Sequence, residues 1–175
     1  MPGFARVAFT DAVRALQERY GSRTSYAKME SRESGDVSLG ADEMAFIESR
    51  DSFYMASVSS DGWPYVQHRG GPRGFLRAID ATHLEFADYG GNRQYITTGN
   101  IANNDRVALF LMDYPSRSRL KILAHVTRKD HTAQEGRTRI ERVFELAVVA
   151  WDWNCPQHIT PRYTIEEIKS FAREK

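Results

Sequence analysis

The spacing of apolar residues changes near residue 50, and the change predicts helices before this point and short strands after it. Val13, Leu16 and Tyr20 recur at helical spacing, and Gly21 is a helix stop signal. Residues 36–40 read as a loop, and residues 41–50 read as a second helix. The first fifty residues are therefore predicted to form helix, loop and helix.

Beyond residue 50 the apolar segments are short, aromatic and β-branched, which is typical of strands. Asp61-Gly62 is a tight-turn signal between the first two of them. The run at residues 106–112 is continuously apolar, as in a buried strand. The pairing of the last apolar segment is open. The expected strands cover residues 53–58, 65–69, 74–80, 84–87, 106–112, 120–126 and 144–151.

Three polar segments punctuate this pattern. Residues 92–103 are expected to include a short helix, and residues 130–137 read as a helix or a loop. Thr164 and Glu167 have the spacing of a capping box, which predicts a terminal helix over residues 164–173. Strands flanked by helices at both ends predict a mainly β fold, a small barrel with helical decoration.

Length and composition indicate one domain over residues 1–175, with a helical segment at 1–50, the barrel at 51–163 and a terminal helix at 164–175. The net charge of +1 gives no general electrostatic reason to bind nucleic acid or a membrane, although a local basic patch stays open. With Cys155 as the sole cysteine, no internal disulfide can form. The N-terminal residues lack an apolar signal region, so we expect a cytoplasmic protein.

Four segments could carry chemistry, and each has a plain structural alternative. Residues 67–76 combine arginines with glycines, which suits either the edge of a planar anionic cofactor or a wide solvated hairpin. Residues 88–100 open a polar helix with a glycine pair, as in a phosphate site or an ordinary helix cap. Residues 116–119 are a basic-hydroxyl cluster or a hairpin loop, and residues 151–162 form an aromatic pocket wall or a packed loop.

Other chemistries find less support. Cys155 has His158 three residues away, but a lone cysteine is more often a small hydrophobe than a nucleophile. The five histidines show no metal-binding spacing, so no metal site is expected. The chain also lacks the G-x-S-x-G signature of serine hydrolases.

Taken in order, several segments resemble the pyridoxamine 5′-phosphate oxidase-like FMN-binding split barrels. More narrowly, they resemble a subgroup that carries a WNCPQHI segment, here residues 153–159. The likeness covers roughly residues 41–163. The segments that carry it are residues 53–58, 61–72, 74–76, 84–92, 99–107, 112–113 and 153–159.

The resemblance implies a six-stranded split barrel and a homodimer with flavin mononucleotide (FMN) bound at the interface. The residues implied to line the isoalloxazine or ribityl region are Gln67, His68, Arg69, Gly74, Phe75 and Leu76. Those implied to hold the ribityl phosphate are Asn92, Tyr95, Thr98 and Asn100. Those implied to reach the flavin across the dimer are Arg117, Ser118 and Arg119, and those implied to close the pocket are Trp153, Asn154 and Gln157.

The leading functional hypothesis is an oxidoreductase that passes a hydride or electrons between FMN and a small molecule. Arg69 is the candidate to favour the anionic reduced flavin. The chain has Arg93-Gln94-Tyr95 where the oxidases carry an Arg-Lys pair, and it lacks their C-terminal substrate-binding pattern, so vitamin B6 phosphate is not the expected substrate. The alternatives are a non-catalytic flavin, deazaflavin or haem binder, with His68 or His158 as axial ligand for haem, and a dimeric scaffold with an empty pocket.

Overall fold

A computed structural model describes residues 3–33, 35–135 and 138–173, in which the chain forms six helices and seven strands. No helix in these three ranges is long and apolar enough to cross a membrane. The helices are α1 (Phe4–Ala8), α2 (Asp11–Arg19), α3 (Arg23–Glu30), α4 (Ala41–Glu48), α5 (Ile96–Asn103) and α6 (Ile165–Arg173). The strands are β1 (Ser52–Val58), β2 (Pro64–Gly70), β3 (Leu76–Ala78), β4 (His83–Tyr89), β5 (Arg106–Asp113), β6 (Ser118–Glu135) and β7 (Thr138–Trp153).

The helix predictions from apolar spacing and capping residues are confirmed for α2, α4 and α6. Thr10 caps α2 by accepting a hydrogen bond from the Val13 N–H at 3.4 Å. At α6 the Thr164 N–H donates to Glu167 at 2.7 Å, and the Glu167 N–H donates to Thr164 at 3.2 Å, which completes the expected capping box. The short helices α1 and α3 were not predicted, because neither carries a regular apolar stripe.

The strands form one antiparallel sheet in the order β2-β1-β5-β6-β7-β4-β3. The sheet is strongly curled. The curl brings Arg69 on the edge strand β2 into contact with Asp88 on β4, five places away in the strand order. The mainly β fold with flanking helices is confirmed. The sheet has seven strands where the resemblance implied six, and the three-residue β3 is one of its edges.

The prediction of a helix or loop over residues 130–137 is wrong for residues 130–135, which continue β6; residues 136 and 137 lie outside the described residues. Past the end of β4, the tips of β6 and β7 continue as a short two-stranded ribbon, in which residues 133–135 pair with residues 138–140 and β4 reaches only as far as Ile140. Such a ribbon has little core to face, so its residues are polar and the alternation that marks a strand is absent. The ladder also answers the open question of pairing, because β7 lies between β6 and β4.

The core contains an aromatic layer that supports the site described below. Phe53, Phe86 and Phe144 are all fully buried. The Phe53 ring lies 5.2 Å from that of Phe86, which lies 5.2 Å from that of Phe144, and Phe53 also stacks on Phe75 at 5.6 Å. Burying one such side chain stabilises the fold by about 1.5–3 kcal/mol. Residues packed on this layer therefore rest on a rigid base.

Candidate functional site

A cavity of about 320 Å³ opens where the edge strand β2 approaches β4, and the segment from residue 89 to α5 forms its wall. Binding sites for small ligands usually have 300–1,000 Å³, so this one lies at the lower end. The side chains at its base are charged. Those at its rim are aromatic, amide and hydroxyl groups.

Arg69, Asp88 and Arg142 form the base of the cavity, and we call these three residues the charged floor. Arg69 Nη1 lies 2.5 Å from Asp88 Oδ1, and Arg142 Nη1 lies 3.2 Å from Asp88 Oδ2. The three side chains are only 16%, 12% and 11% exposed. The Arg69 guanidinium carbon lies 5.8 and 5.6 Å from the ring centres of Phe86 and Phe144. The floor therefore forms a polar layer directly on the aromatic layer of the core.

Burial shifts the pKa of Asp88, the acidic residue of the floor. Removal of Asp88 from water raises the pKa of its carboxyl above the ordinary value, and the neighbouring charge of Glu141 acts in the same direction. The positive charges of Arg69 and Arg142 oppose this shift. The carboxylate is thus desolvated between two guanidinium groups, an environment typical of sites that bind charged ligands.

Strand alternation explains why these residues meet. On β2 the residues at 65, 67 and 69 are half-buried, whereas their neighbours are exposed. On β4, Asp88 continues the inward row of Leu84 and Phe86, and on β7, Arg142 precedes the buried Phe144 in the same row. Since residues two apart share a face, β4 and β7 each place a charged group next to a buried phenylalanine, and β2 places Arg69 at the end of its half-buried polar row.

Neither Asp88 nor Arg142 was expected as a site residue from the sequence. A signal was present, because a charged residue two positions from a buried phenylalanine points to the same face. For Arg142 the polar texture of residues 127–142 hid this signal, since the start of β7 could not be located from the sequence.

The wall of the cavity is the start of α5. Tyr95, the residue before the helix, has a left-handed backbone with φ of 52°, and its side chain makes no cap hydrogen bond. The first turn contains no acidic residue. Arg142 Nη1 donates to Thr98 Oγ1 in this turn at 2.8 Å. The N-terminal end of a helix favours negative charge, and here it lines the cavity beside Arg93.

Strand β2 forms the opposite wall. The Tyr65 hydroxyl donates to Gln67 Oε1, and Gln67 Nε2 donates to the His68 carbonyl at 3.2 Å. In the described sheet β2 pairs only with β1, so its outer edge presents backbone N–H and C=O groups to the cavity side. An arginine, an amide and a strand edge together suit the polar edge of a flat heterocycle.

Several residues expected at the cofactor lie at this cavity, although their roles stay predictions. Gln67, His68, Arg69 and Phe75 line it on the side of β2, and Asn92, Tyr95 and Thr98 line it on the side of α5.

Three other expected residues take structural positions instead. Leu76 is fully buried in the core, and Asn100 is buried with its Nδ2 donating to Ser57 Oγ at 3.0 Å. Gly74 has φ of +83°, so it serves the turn that leads into β3. None of the three lines the cavity.

The remaining expected residues form a separate group, which we call the second cluster: Arg117, Ser118, Arg119, Trp153, Asn154 and Gln157. None of them lines the cavity. From Arg142 to Trp153 the path along β7 is on the order of 35 Å, at roughly 3.3 Å per residue. The chain therefore does not bring this group to the charged floor.

Contacts within the second cluster hold its side chains in place. With its amide oriented so that Oδ1 faces Arg119, Asn154 accepts hydrogen bonds from Arg119 Nη2 and Nε, both at 2.8 Å. Trp153 Nε1 donates to Glu43 Oε1 at 2.7 Å, and its ring meets that of Phe46 at 4.7 Å. Cys155 is exposed, and its sulfur accepts the Gln157 N–H at 3.5 Å.

Comparison with known families identifies the chain. Residues 39–162 match the family model described as pyridoxamine 5′-phosphate oxidase. The chain belongs to the pyridoxamine 5′-phosphate oxidase family. The matched residues include the charged floor, α5 and the whole second cluster, so the cavity lies inside the part of the chain that defines the family.

Solved structures of similar fold include members of the same family. A putative pyridoxamine 5′-phosphate oxidase from Lactobacillus delbrueckii is 19% identical with a TM-score of 0.51, over 66% of this chain and 93% of its own. HupZ from Group A Streptococcus is 14% identical with a TM-score of 0.54, over 71% of this chain and 100% of its own. At such identities the likeness shows the fold. No curated protein sequence matches the chain closely enough to count as a relative.

Proposed function

We propose that the protein binds FMN in the cavity above the charged floor and acts as an oxidoreductase on a small molecule. The observation that carries this proposal is the position of Arg69, a guanidinium held by Asp88 inside a cavity between a free strand edge and a helix N-terminus. Membership in the pyridoxamine 5′-phosphate oxidase family supports it.

The residues present fit the two ends of a flavin nucleotide. A flavin ring has a polar edge with several hydrogen-bond acceptors, and the β2 side offers Arg69 and the amide of Gln67. Arg69 Nε is buried and has no hydrogen-bond partner in the described residues, so this guanidinium has an unused donor. The phosphate is anionic, and the α5 side offers the first helical turn and Arg93.

A bound flavin would supply the hydride or electron chemistry itself. The protein's task is then to bind, orient and tune. Arg69 places a positive charge at the ring end of the cavity, which favours negative charge that develops there on reduction. Asp88 keeps Arg69 in position, and the buried phenylalanines beneath it prevent water from entering under the guanidinium.

We further propose a homodimer in which the second cluster of one protomer closes the cavity of its partner. Two observations support this arrangement. Arg119 and Trp153 are held in defined positions but do not line the cavity above the charged floor. Tyr54 and Val66, on the outer face of β1 and β2, are 41% and 60% exposed, which is the apolar surface that a symmetric partner would cover.

The visible absorption spectrum of the purified protein, taken before and after addition of FMN and desalting, tests the proposal. Retained bands near roughly 370 and 450 nm would establish flavin binding. A folded protein that retains no flavin would refute it. A Soret band would instead assign the cavity to haem. Once flavin is bound, its bleaching by candidate donors under anaerobic conditions would show whether the protein turns over.

A further inference from the structure

Arg142, on β7, contacts both β4 and the start of α5. Its Nη1 donates to Thr98 on α5 at 2.8 Å and lies 3.2 Å from Asp88 on β4. Its Nη2 donates to Glu141 on β7 at 2.6 Å. Its guanidinium carbon lies 5.1 Å from the centre of the Tyr95 ring. A single side chain thus joins the charged floor to the start of α5.

We infer that Arg142 is a positioning residue that fixes the first turn of α5 and so gives the cavity its preference for a phosphorylated flavin. This inference rests on the proposed function. The inference goes beyond the proposed function by assigning the choice between FMN and riboflavin to a residue on β7.

The charge balance around Arg142 indicates positioning rather than direct ligation. Asp88 and Glu141 both lie against its guanidinium, so its positive charge is largely neutralised within the protein. At 11% exposure it also has little surface to offer a ligand. Arg93, at the rim, is exposed and has no ion pair among the described residues, so it is the guanidinium available to a phosphate.

The start of α5 needs support from outside the helix. Tyr95 provides no side-chain cap. One turn further, Asn100 anchors the helix to β1 through Ser57. The first turn is held by the Arg142–Thr98 hydrogen bond and by the contact of Tyr95 with the same guanidinium. Loss of Arg142 therefore releases the end of the helix that faces the cavity and leaves the anchored end in place.

Paired titrations with FMN and riboflavin test the inference, because the two ligands share the ring and ribityl chain and differ only by the phosphate. Flavin fluorescence quenching gives both dissociation constants. We expect Arg142→Gln to weaken FMN binding about tenfold or more and to change riboflavin binding by less than about threefold, in line with the loss of one charge-assisted hydrogen bond. Arg139→Gln is the matched control, since Arg139 is an exposed arginine three positions earlier on β7. It should leave both constants unchanged.

Thr98→Val provides a second variant that keeps the shape of the side chain and removes the acceptor for Arg142. It should also lower the ratio of FMN to riboflavin affinity, even if Arg142→Gln fails to fold. In the Arg142→Gln background Thr98→Val should cause no further loss, and an additive loss would overturn the inference because Thr98 would then bind the phosphate independently. An unchanged ratio in Thr98→Val, or in a folded Arg142→Gln, would overturn the inference. So would an equal loss of both ligands, which indicates general damage to the cavity. A wild-type protein that binds neither flavin would overturn the proposed function and this inference together, whereas the preceding outcomes leave the proposed function intact.

Discussion

The charged floor and the second cluster differ in a way that the sequence conceals. Of the floor, only Arg69 was expected at the ligand, whereas all six residues of the second cluster were expected there. The floor assembles within one chain, because three inward rows of β2, β4 and β7 end side by side. The second cluster is held by contacts to Asn154 and Glu43, yet it does not line the cavity above the floor. In the proposed dimer, the floor of one protomer and the second cluster of its partner would form one shared site.

Among the substitutions that test this comparison, loss of Arg69 should have the largest effect on FMN affinity. We expect Arg69→Met to weaken FMN binding by about ten- to a hundredfold, because it removes a charge-assisted donor at the ring end. It also leaves Asp88 with Arg142 as its remaining ion-pair partner in the described residues, so the free energy of unfolding should fall by less than the roughly 3–5 kcal/mol that a fully unpaired buried charge costs. Fluorescence titration and urea unfolding measure the two effects.

Arg77→Met is the control for Arg69→Met. Arg77 also pairs with a carboxylate, that of Glu85, but its side chain is 66% exposed and lies outside the cavity. Exposed ion pairs contribute little to stability, so neither FMN affinity nor the free energy of unfolding should change appreciably. If Arg69→Met bound FMN as well as this control, the cavity above the floor would not be the flavin site.

Mixing two defective variants tests whether the halves belong to different protomers. We expect Arg69→Met and Arg119→Gln each to bind FMN poorly as separate dimers. After unfolding and refolding together, a mixed dimer has one site with both arginines intact, so about a quarter of all sites should recover in a random equal mixture of symmetric dimers. Titration of tightly bound flavin counts these sites.

Refolding each variant alone is the control for the mixing experiment and should recover no sites. Gel filtration checks that the mixed protein forms dimers and exchanges protomers. If it does, and the mixture still recovers no flavin sites, the second cluster is not part of the flavin site. Wild-type affinity in Arg119→Gln alone would lead to the same conclusion.

The residues that the sequence could place are those whose positions depend on local pattern. The turn at Asp61-Gly62, the buried run of β5 and the capping box of α6 all follow from neighbours in the chain. The polar ribbon of β6 and β7 cannot be predicted from neighbouring residues, because its strand character comes from pairing between segments rather than from an apolar face. Arg142 lies next to that ribbon, where β7 pairs with both β6 and β4, so its place in the site depended on a register that the sequence does not specify.

The residues of the candidate site show the same limit of prediction from local pattern. Gln67, Arg69 and Thr98 were expected at the ligand and do line the cavity. Asn100 was expected beside them, but the helix turns it inward to Ser57, because residues two apart on a helix lie on different faces. Two of the segments taken from the resemblance line the cavity, and packing decides which side of each segment faces it.

Substitution of Asn154 should have the smallest effect on FMN affinity, because in our proposal Asn154 acts on the ligand only by orienting Arg119. Asn154→Ala removes the two acceptor contacts that orient the Arg119 guanidinium, so we expect FMN affinity to fall by about two- to tenfold. Asn154→Asp keeps an acceptor at the same place and should retain affinity close to that of the wild type. In the Arg119→Gln background, Asn154→Ala should have no further effect, because the two changes act through one contact. An additive loss in the double variant would mean that Asn154 acts on the flavin independently of Arg119, and the second cluster would then be two contact points rather than one oriented arginine.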